Sequence, residues 1–175
     1  MTLDQINQEY GQKKNNIYMT VLIIFVAISL VVSYMFFSCD YVSGESMEGT
    51  LHDRDLIFGI KADYCEIVPG DIINIRSSAI GEQIVKRVIG VSGDHIVVEN
   101  GVLFINGEEM IEPYLESDFY DSFDVTVPKG HVFVMGDNRL VSLDSRDPNV
   151  GCIPKTEIQS KMLFSLSFHE GFLQD

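Results

Sequence analysis

The chain has 175 residues and a formal net charge of −14; an apolar run of roughly 20 residues leaves about 135 to fold, enough for one core and too few for two. Asp4 and Glu9 offset Lys13 and Lys14, so the excess acid lies beyond the apolar run, where it repels phosphate backbones and argues against a nucleic-acid role. Cys39, Cys65 and Cys152 are odd in number, widely spaced and without a neighbouring histidine cluster, so no metal site is expected and idle thiols are favoured over a Cys65–Cys152 pair.

Residues 1–16 are polar and read as a short cytoplasmic tail. From Ile17 to Phe37 no residue is charged, and about 21 residues at ~1.5 Å rise cross a hydrocarbon core of roughly 30 Å. Residues 17–37 are therefore expected to form one transmembrane helix. Thr20, Ser29 and Ser33 can bond back to its own carbonyls, and Tyr18 and Tyr34 lie near its ends. Lys13 and Lys14 flank one end and Asp40, Glu45 and Glu48 follow the other, which puts the N-terminus in the cytoplasm and residues 38–175 outside. A cleaved signal peptide fits less well, because the run is long and ends in Met35-Phe36-Phe37 rather than in small residues.

Beyond the anchor the pattern changes to short β-branched runs bounded by turn formers. Residues 55–60, 71–75, 83–89, 95–99, 102–105 and 131–135 read as strands. Asn100-Gly101 and Asn106-Gly107 between apolar runs are hairpin signals, since a type I′ turn needs positive φ at both central residues. The acid-rich stretch from Glu112 to Asp124 reads as a loop or irregular lobe. The expected fold is mainly β: one N-terminal transmembrane helix followed by a compact β-sheet or partly closed barrel.

Three polar stretches carry the chemistry. Ser46, in Ser43-Gly44-Glu45-Ser46-Met47-Glu48-Gly49-Thr50-Leu51, is a candidate nucleophile, although serines beside turns are more often caps. Gly44 leaves room for a substrate backbone, the Ser46 N–H can face an oxyanion, and Met47 and Leu51 are expected to offer an apolar surface. Lys86 shares a strand face with Ile84 and Val88. Apolar surroundings lower a lysine pKa and fit it as a general base, whereas an edge-strand lysine protects against unwanted pairing. In the third stretch, Gly136 to Arg146, Ser142 can orient the amine, Asp144 and Arg146 can pair, and Asp137 can meet Arg87 or Arg146.

These blocks, with Pro69-Gly70-Asp71-Ile72, Lys86-Arg87-Val88-Ile89-Gly90 and Glu112-Pro113-Tyr114-Leu115, resemble bacterial type I signal peptidase over nearly the whole exported domain. The resemblance implies a membrane-bound serine endopeptidase that cuts preproteins after small-x-small sites, with no cofactor. It makes Ser46 the nucleophile, Lys86 the general base and Ser142 the residue that orients it. Asp144 and Arg146 become a supporting ion pair, Asp137 and Arg87 further support, and Val42 and Val85 the lining for small side chains. None of His52, His95, His131 and His169 needs a catalytic role. Gly49 stands where the family usually has proline, and Gly44 where some members offer a second oxyanion donor. The expected partners are preproteins and the lipid bilayer, and a monomer is expected. Two other readings exist. A retired, anchored binding module would usually lose Ser or Lys first, and this chain has both. A self-cleaving repressor-type peptidase would carry an N-terminal DNA-binding domain in place of the apolar run.

Overall fold

The computed structural model describes residues 3–115, 119 and 121–167. It divides into two compact units, at Phe36 and Phe37. The first is α1, Leu3–Phe36, a single helix of 34 residues whose apolar side chains from Ile17 to Met35 are exposed. Tyr10–Phe36 is long and apolar enough to cross a bilayer. Helix therefore extends into the stretch read as a tail; once a long helix exists, adding a residue costs little compared with starting one. Within it, Thr20 Oγ1 donates to the Asn16 carbonyl at 2.9 Å, one turn back.

The second unit is built from antiparallel strands in two sheets. In chain order they are β1 Phe37–Tyr41, β2 Leu56–Lys61, β3 Ile72–Arg76, β4 Gln83–Val91, β5 His95–Glu99, β6 Val102–Ile105, β7 Glu108–Glu109, β8 Phe123–Thr126, β9 His131–Met135, β10 Ile153–Pro154 and β11 Ile158–Leu166. A seven-stranded sheet has the order β1-β2-β11-β3-β4-β9-β10, and a four-stranded sheet the order β7-β6-β5-β8. The mainly β expectation holds. The larger sheet is open rather than a closed barrel, yet it curls enough for Gln83 Nε2 at the start of β4 to donate to Asp40 Oδ1 on β1 at 3.1 Å.

The two sheets share a core. Ile89, Phe133 and Met135 of the larger sheet pack with Ile96, Val98 and Leu103 of the smaller one. Gly90 permits this approach, because a Cβ there would stand 2.7 Å from Ile96 Cδ1. The β5–β6 turn has Asn100 at φ +50° and Gly101 at +84°, as the Asn-Gly signal predicts. A second core lies under β3, β4, β9 and β11, formed by Ile73, Ile75, Val88, Val132, Val134 and Ile158.

Three features differ from the sequence reading. β1 and β11 emerge as full strands, with β11 central between β2 and β3. The described residues of 112–122 are irregular, as expected, but β8 begins at Phe123 and Phe119 is buried in the shared core; residues 116–118 and 120 lie outside the described residues. Met47 and Leu51 offer no apolar surface. Both are only 1% exposed, because the turn that carries Ser46 folds inward and uses them to anchor itself against Val42, Ile57, Ile72 and Val85.

Candidate active site

The turn carrying Ser46 is held at both ends. Val42 N–H donates to the Asp55 carbonyl at 2.8 Å and Arg54 N–H to the Val42 carbonyl at 2.9 Å, closing the loop between them. Inside, Glu48, Thr50 and Leu51 donate back to the carbonyls of Glu45 and Met47 at 2.8–3.1 Å. Gly44 sits at φ +86° with its N–H on Asp53 Oδ1 at 2.8 Å, and Gly49 at φ +94°. These left-handed positions suit glycine. A proline at 49, with φ locked near −65°, could not adopt this turn.

β4 brings Lys86 to the serine. Lys86 Nζ donates to Ser46 Oγ at 2.5 Å, and the lysine is 3% exposed. Burial drives its pKa from 10.5 down to about 8; the Asp144 and Asp137 carboxylates resist this, and the Arg146 guanidinium assists it. No ion pair joins Lys86 to a carboxylate among the described residues.

β9 and the segment after it close the site from the other side. β4 and β9 pair Arg87 with Met135, so Gly136 follows opposite Lys86. Gly136 has no room for a side chain: a Cβ there would overlap the Ser46 carbonyl and the Ser142 side chain. Asn138 N–H donates to that same Ser46 carbonyl at 3.1 Å. Asp137 receives Arg87 in a two-pronged pair, Nε to Oδ1 at 2.8 Å and Nη2 to Oδ2 at 2.6 Å, together with Thr50 Oγ1 at 2.6 Å. Of the two arginines open to Asp137, the fold selects Arg87. Asp144 receives Arg146 in the same manner, at 2.8 and 3.0 Å, and the Gly136 N–H at 2.9 Å. Burial alone would raise the Asp144 pKa, but Arg146 and the Gly136 N–H outweigh it and hold the carboxylate below its ordinary range.

Ser142 lies beside Gly136, where it helps to hold the Asp144 carboxylate below its ordinary pKa range, and its buried Oγ makes no hydrogen bond to Lys86. The expected lysine–Ser142 bond is therefore not formed in this structure. Of the residues expected to meet substrate, Gly44 borders an open groove of about 470 Å³ with Ser46 and Lys86, whereas Val42, Met47 and Val85 are packed together beneath the surface. The apolar wall of the groove includes Ile84, Val141 and Leu143.

Sequence reasoning missed the outer support. Arg139 forks onto Glu112, at 3.1 Å through Nη1 and 2.5 Å through Nη2, and Tyr114 Oη donates to the same carboxylate at 2.6 Å. The Arg87 guanidinium stacks 3.9 Å over the Tyr114 ring, and Arg146 Nη1 reaches Asp121 at 2.7 Å. The acid-rich stretch thus supplies counter-ions to the arginines around the site. One signal was available: Arg87, Arg139 and Arg146 outnumber Asp137 and Asp144, so a third acid had to come from elsewhere. The cysteines are free, and burial raises the thiol pKa of Cys65 and Cys152.

Comparison with known proteins converges on one family. The family profile described as "Signal peptidase, peptidase S26" matches residues 15–167. Signal peptidase I of Bacillus amyloliquefaciens is 38% identical over 91% of this chain and 91% of its own length. Signal peptidase I T of Bacillus subtilis (strain 168) is 35% identical over 90% of each. A crystal structure of a signal peptidase I from Enterococcus faecalis V583 superposes with a TM-score of 0.51 at 29% identity, covering 55% of this chain and 97% of that one. The chain belongs to the signal peptidase family, peptidase S26, a family of serine endopeptidases that process signal peptides.

Proposed function

We propose that this chain is a membrane-anchored signal peptidase in which Ser46 is the nucleophile and Lys86 the general base. The observation that carries the reading is a buried lysine with no carboxylate partner among the described residues, 2.5 Å from a serine hydroxyl at the edge of an open groove. A lysine titrating at about 8 is neutral in about a tenth of molecules at pH 7. In that fraction the bond reverses, the Ser46 hydroxyl donates to the free amine, and Oγ can attack a carbonyl as Nζ takes the proton. The resulting ammonium then protonates the leaving amine, and the neutral lysine next deprotonates the water that releases the acyl group.

The Ser46 N–H is bonded to no described residue and suits the oxyanion of the tetrahedral intermediate. Substrate has an evident place to bind. Among the described residues β1 pairs only with β2, and the first residues of β4 pair only with β3 until β9 joins at Arg87, so two open strand edges face each other across the Asp40–Gln83 bond. An extended peptide can add to such an edge through backbone hydrogen bonds. Val42 and Val85, packed at the base of this region, limit side chains there to small ones and fit cleavage after small-x-small sites. The apolar run 17–37 serves as the membrane anchor, with Lys13 and Lys14 on the cytoplasmic side, residues 38–175 outside, and the chain acting as a monomer.

The test is cleavage of a preprotein with an Ala-x-Ala site by the detergent-solubilised full chain, beside Ser46→Ala and Lys86→Ala. The intact chain should cut after the second alanine and both variants should fail. Its kcat/KM should rise about tenfold per pH unit below the lysine pKa of about 8 and level off above it. Equal cleavage by wild type and variants, or a flat profile between pH 6 and 8, sinks the reading.

A further inference from the structure

The face of the large sheet that carries Val85 is divided in two. Near Ser46 it is apolar, with Val42, Ile57, Ile72 and Val85 over Met47 and Leu51. Toward the start of β1 it turns polar. Gly59 of β2 has Ser38 Oγ and Ser160 Oγ at 3.0 and 3.1 Å from the place of a Cβ, and Ser160 is in register with Asn74 on β3. A Cβ at Gly59 would also stand 2.7 Å from the Lys161 carbonyl. The small residues keep this half open, and a cavity of about 430 Å³ lies over it, with Asp40, Lys61, Asn74, Arg76 and Gln83 in its wall.

Asn74 sets the character of this cavity. It is 2% exposed, and neither its Nδ2 nor its Oδ1 has a hydrogen-bond partner among the described residues. A buried amide left unmatched on both atoms costs free energy unless a further group meets it. Its neighbours in register are Ser160 and Val85, so neither flank supplies an amide or a charge in the plane of the strand. The charges around the cavity balance, with Asp40 and Asp63 against Lys61 and Arg76, so neither a cation nor an anion is favoured. The complement to such a wall is an uncharged group that both donates and accepts.

The cavity lies along the path of the substrate on the reading above, and the inference rests on that reading. Gln83 stands three residues before Lys86 on the free edge of β4, which is about 10 Å of extended chain. If small side chains lie at Val42 and Val85, the peptide upstream of them runs on toward Asp40 and Gln83. A residue beside Gln83 is then the fourth or fifth before the cut.

We propose that this polar cavity is a recognition site for an uncharged hydrogen-bonding side chain, an amide or hydroxyl, at the fourth or fifth substrate residue before the scissile bond, with Asn74 as its central partner. It adds to the small-residue requirement a second determinant that selects among preproteins.

The experiment uses the full chain in detergent and peptides that share one Ala-x-Ala site but carry Gln, Ser or Leu at the fourth and fifth positions before the cut. Wild type should prefer Gln or Ser over Leu by about tenfold in kcat/KM, the ratio expected when one buried polar group is met rather than left bare. Asn74→Val should bring that ratio toward one. Gln83→Leu, at an exposed position, should lower it in part. An unchanged ratio in both variants, or a preference for Leu, overturns the proposal and leaves water as the partner of Asn74. Binding of the same peptides to Ser46→Ala, read by fluorescence anisotropy, separates the two readings. Selective binding that depends on Asn74 without cleavage by wild type removes the peptidase assignment and keeps the cavity; cleavage without selectivity does the reverse.

Discussion

Four cations stand around the candidate site, and they fall into two kinds. Arg87, Arg139 and Arg146 are each gripped by a carboxylate through two nitrogens, those of Asp137, Glu112 and Asp144. Lys86, at least as buried as two of them, hydrogen-bonds only to a serine hydroxyl among the described residues. A guanidinium cannot shed its proton in a protein, so burying it requires a fixed acid. An ammonium can, and burial without an ion-pair partner among the described residues brings its pKa down to about 8. The same burial therefore yields rigid support in one region and a titrating base in the next.

The largest test of this contrast exchanges the two kinds of cation. Lys86→Arg keeps the charge and much of the stem but cannot supply a free base, and cleavage should fall by about 10³ or more, measured in single turnover. Rescue of activity by arginine would show that charge, not proton transfer, is what the position supplies.

Next in size is the opposite operation, removing a carboxylate from a paired arginine. Asp137→Asn leaves Arg87 buried and takes the acceptor from Thr50. Denaturant unfolding should show a loss of about 3 kcal/mol, as for other broken buried pairs, with cleavage impaired through the Ser46 turn. The pH profile gives a second readout: the Asp137 charge holds the Lys86 pKa up, so its removal should move the acid limb to lower pH. A variant of wild-type stability would mean that the pair is decorative.

Lys86→Met should do the reverse and stabilise the fold. Between the folded pKa of about 8 and the ordinary value of 10.5 the unfolded chain holds a proton that the folded chain has lost, so stability rises with pH across that window. Below pH 8 the folded lysine is protonated and unpaired, a cost of about 3 kcal/mol relative to high pH. Methionine removes that cost and should flatten the slope between pH 8 and 10, read from urea midpoints at each pH. A variant less stable than wild type at pH 7 would place the lysine among the supports.

Much of this arrangement was legible in the sequence, and the exceptions share a cause. Ser46, Lys86, Asp137 and Asp144 are found in short motifs whose residue types are hard to explain otherwise, and the Asn-Gly hairpin follows from backbone sterics alone. β1 was missed because its pattern is inverted: Phe37, Cys39 and Tyr41 face outward while Ser38 and Asp40 turn inward. β11 was missed because two register shifts break its alternation. Period-2 reasoning assumes that the inner face is apolar, and these strands line the polar half of the sheet. Glu112 and Tyr114 escaped for a different reason. An acid in an acid-rich loop looks solvated until the fold shows which arginine it meets.

The smallest effect concerns Gly49, which stands where the family usually has proline, a replacement that by itself would be expected to loosen the turn. The observed φ of +94° argues otherwise. The turn is closed by hydrogen bonds onto the Met47 and Glu45 carbonyls and tied through Thr50 Oγ1 to Asp137, so glycine here serves a formed conformation. Alanine at this φ should cost about 1 kcal/mol, a fall in Tm of about 4 °C, with a few-fold loss of kcat/KM as the Ser46 carbonyl shifts against Gly136. Proline should be the worse of the two, since its ring holds φ near −65°. If the turn were slack, proline would instead raise both Tm and activity. Comparing the two variants therefore decides whether the support around the dyad extends to the nucleophile's own turn or ends at Asp137.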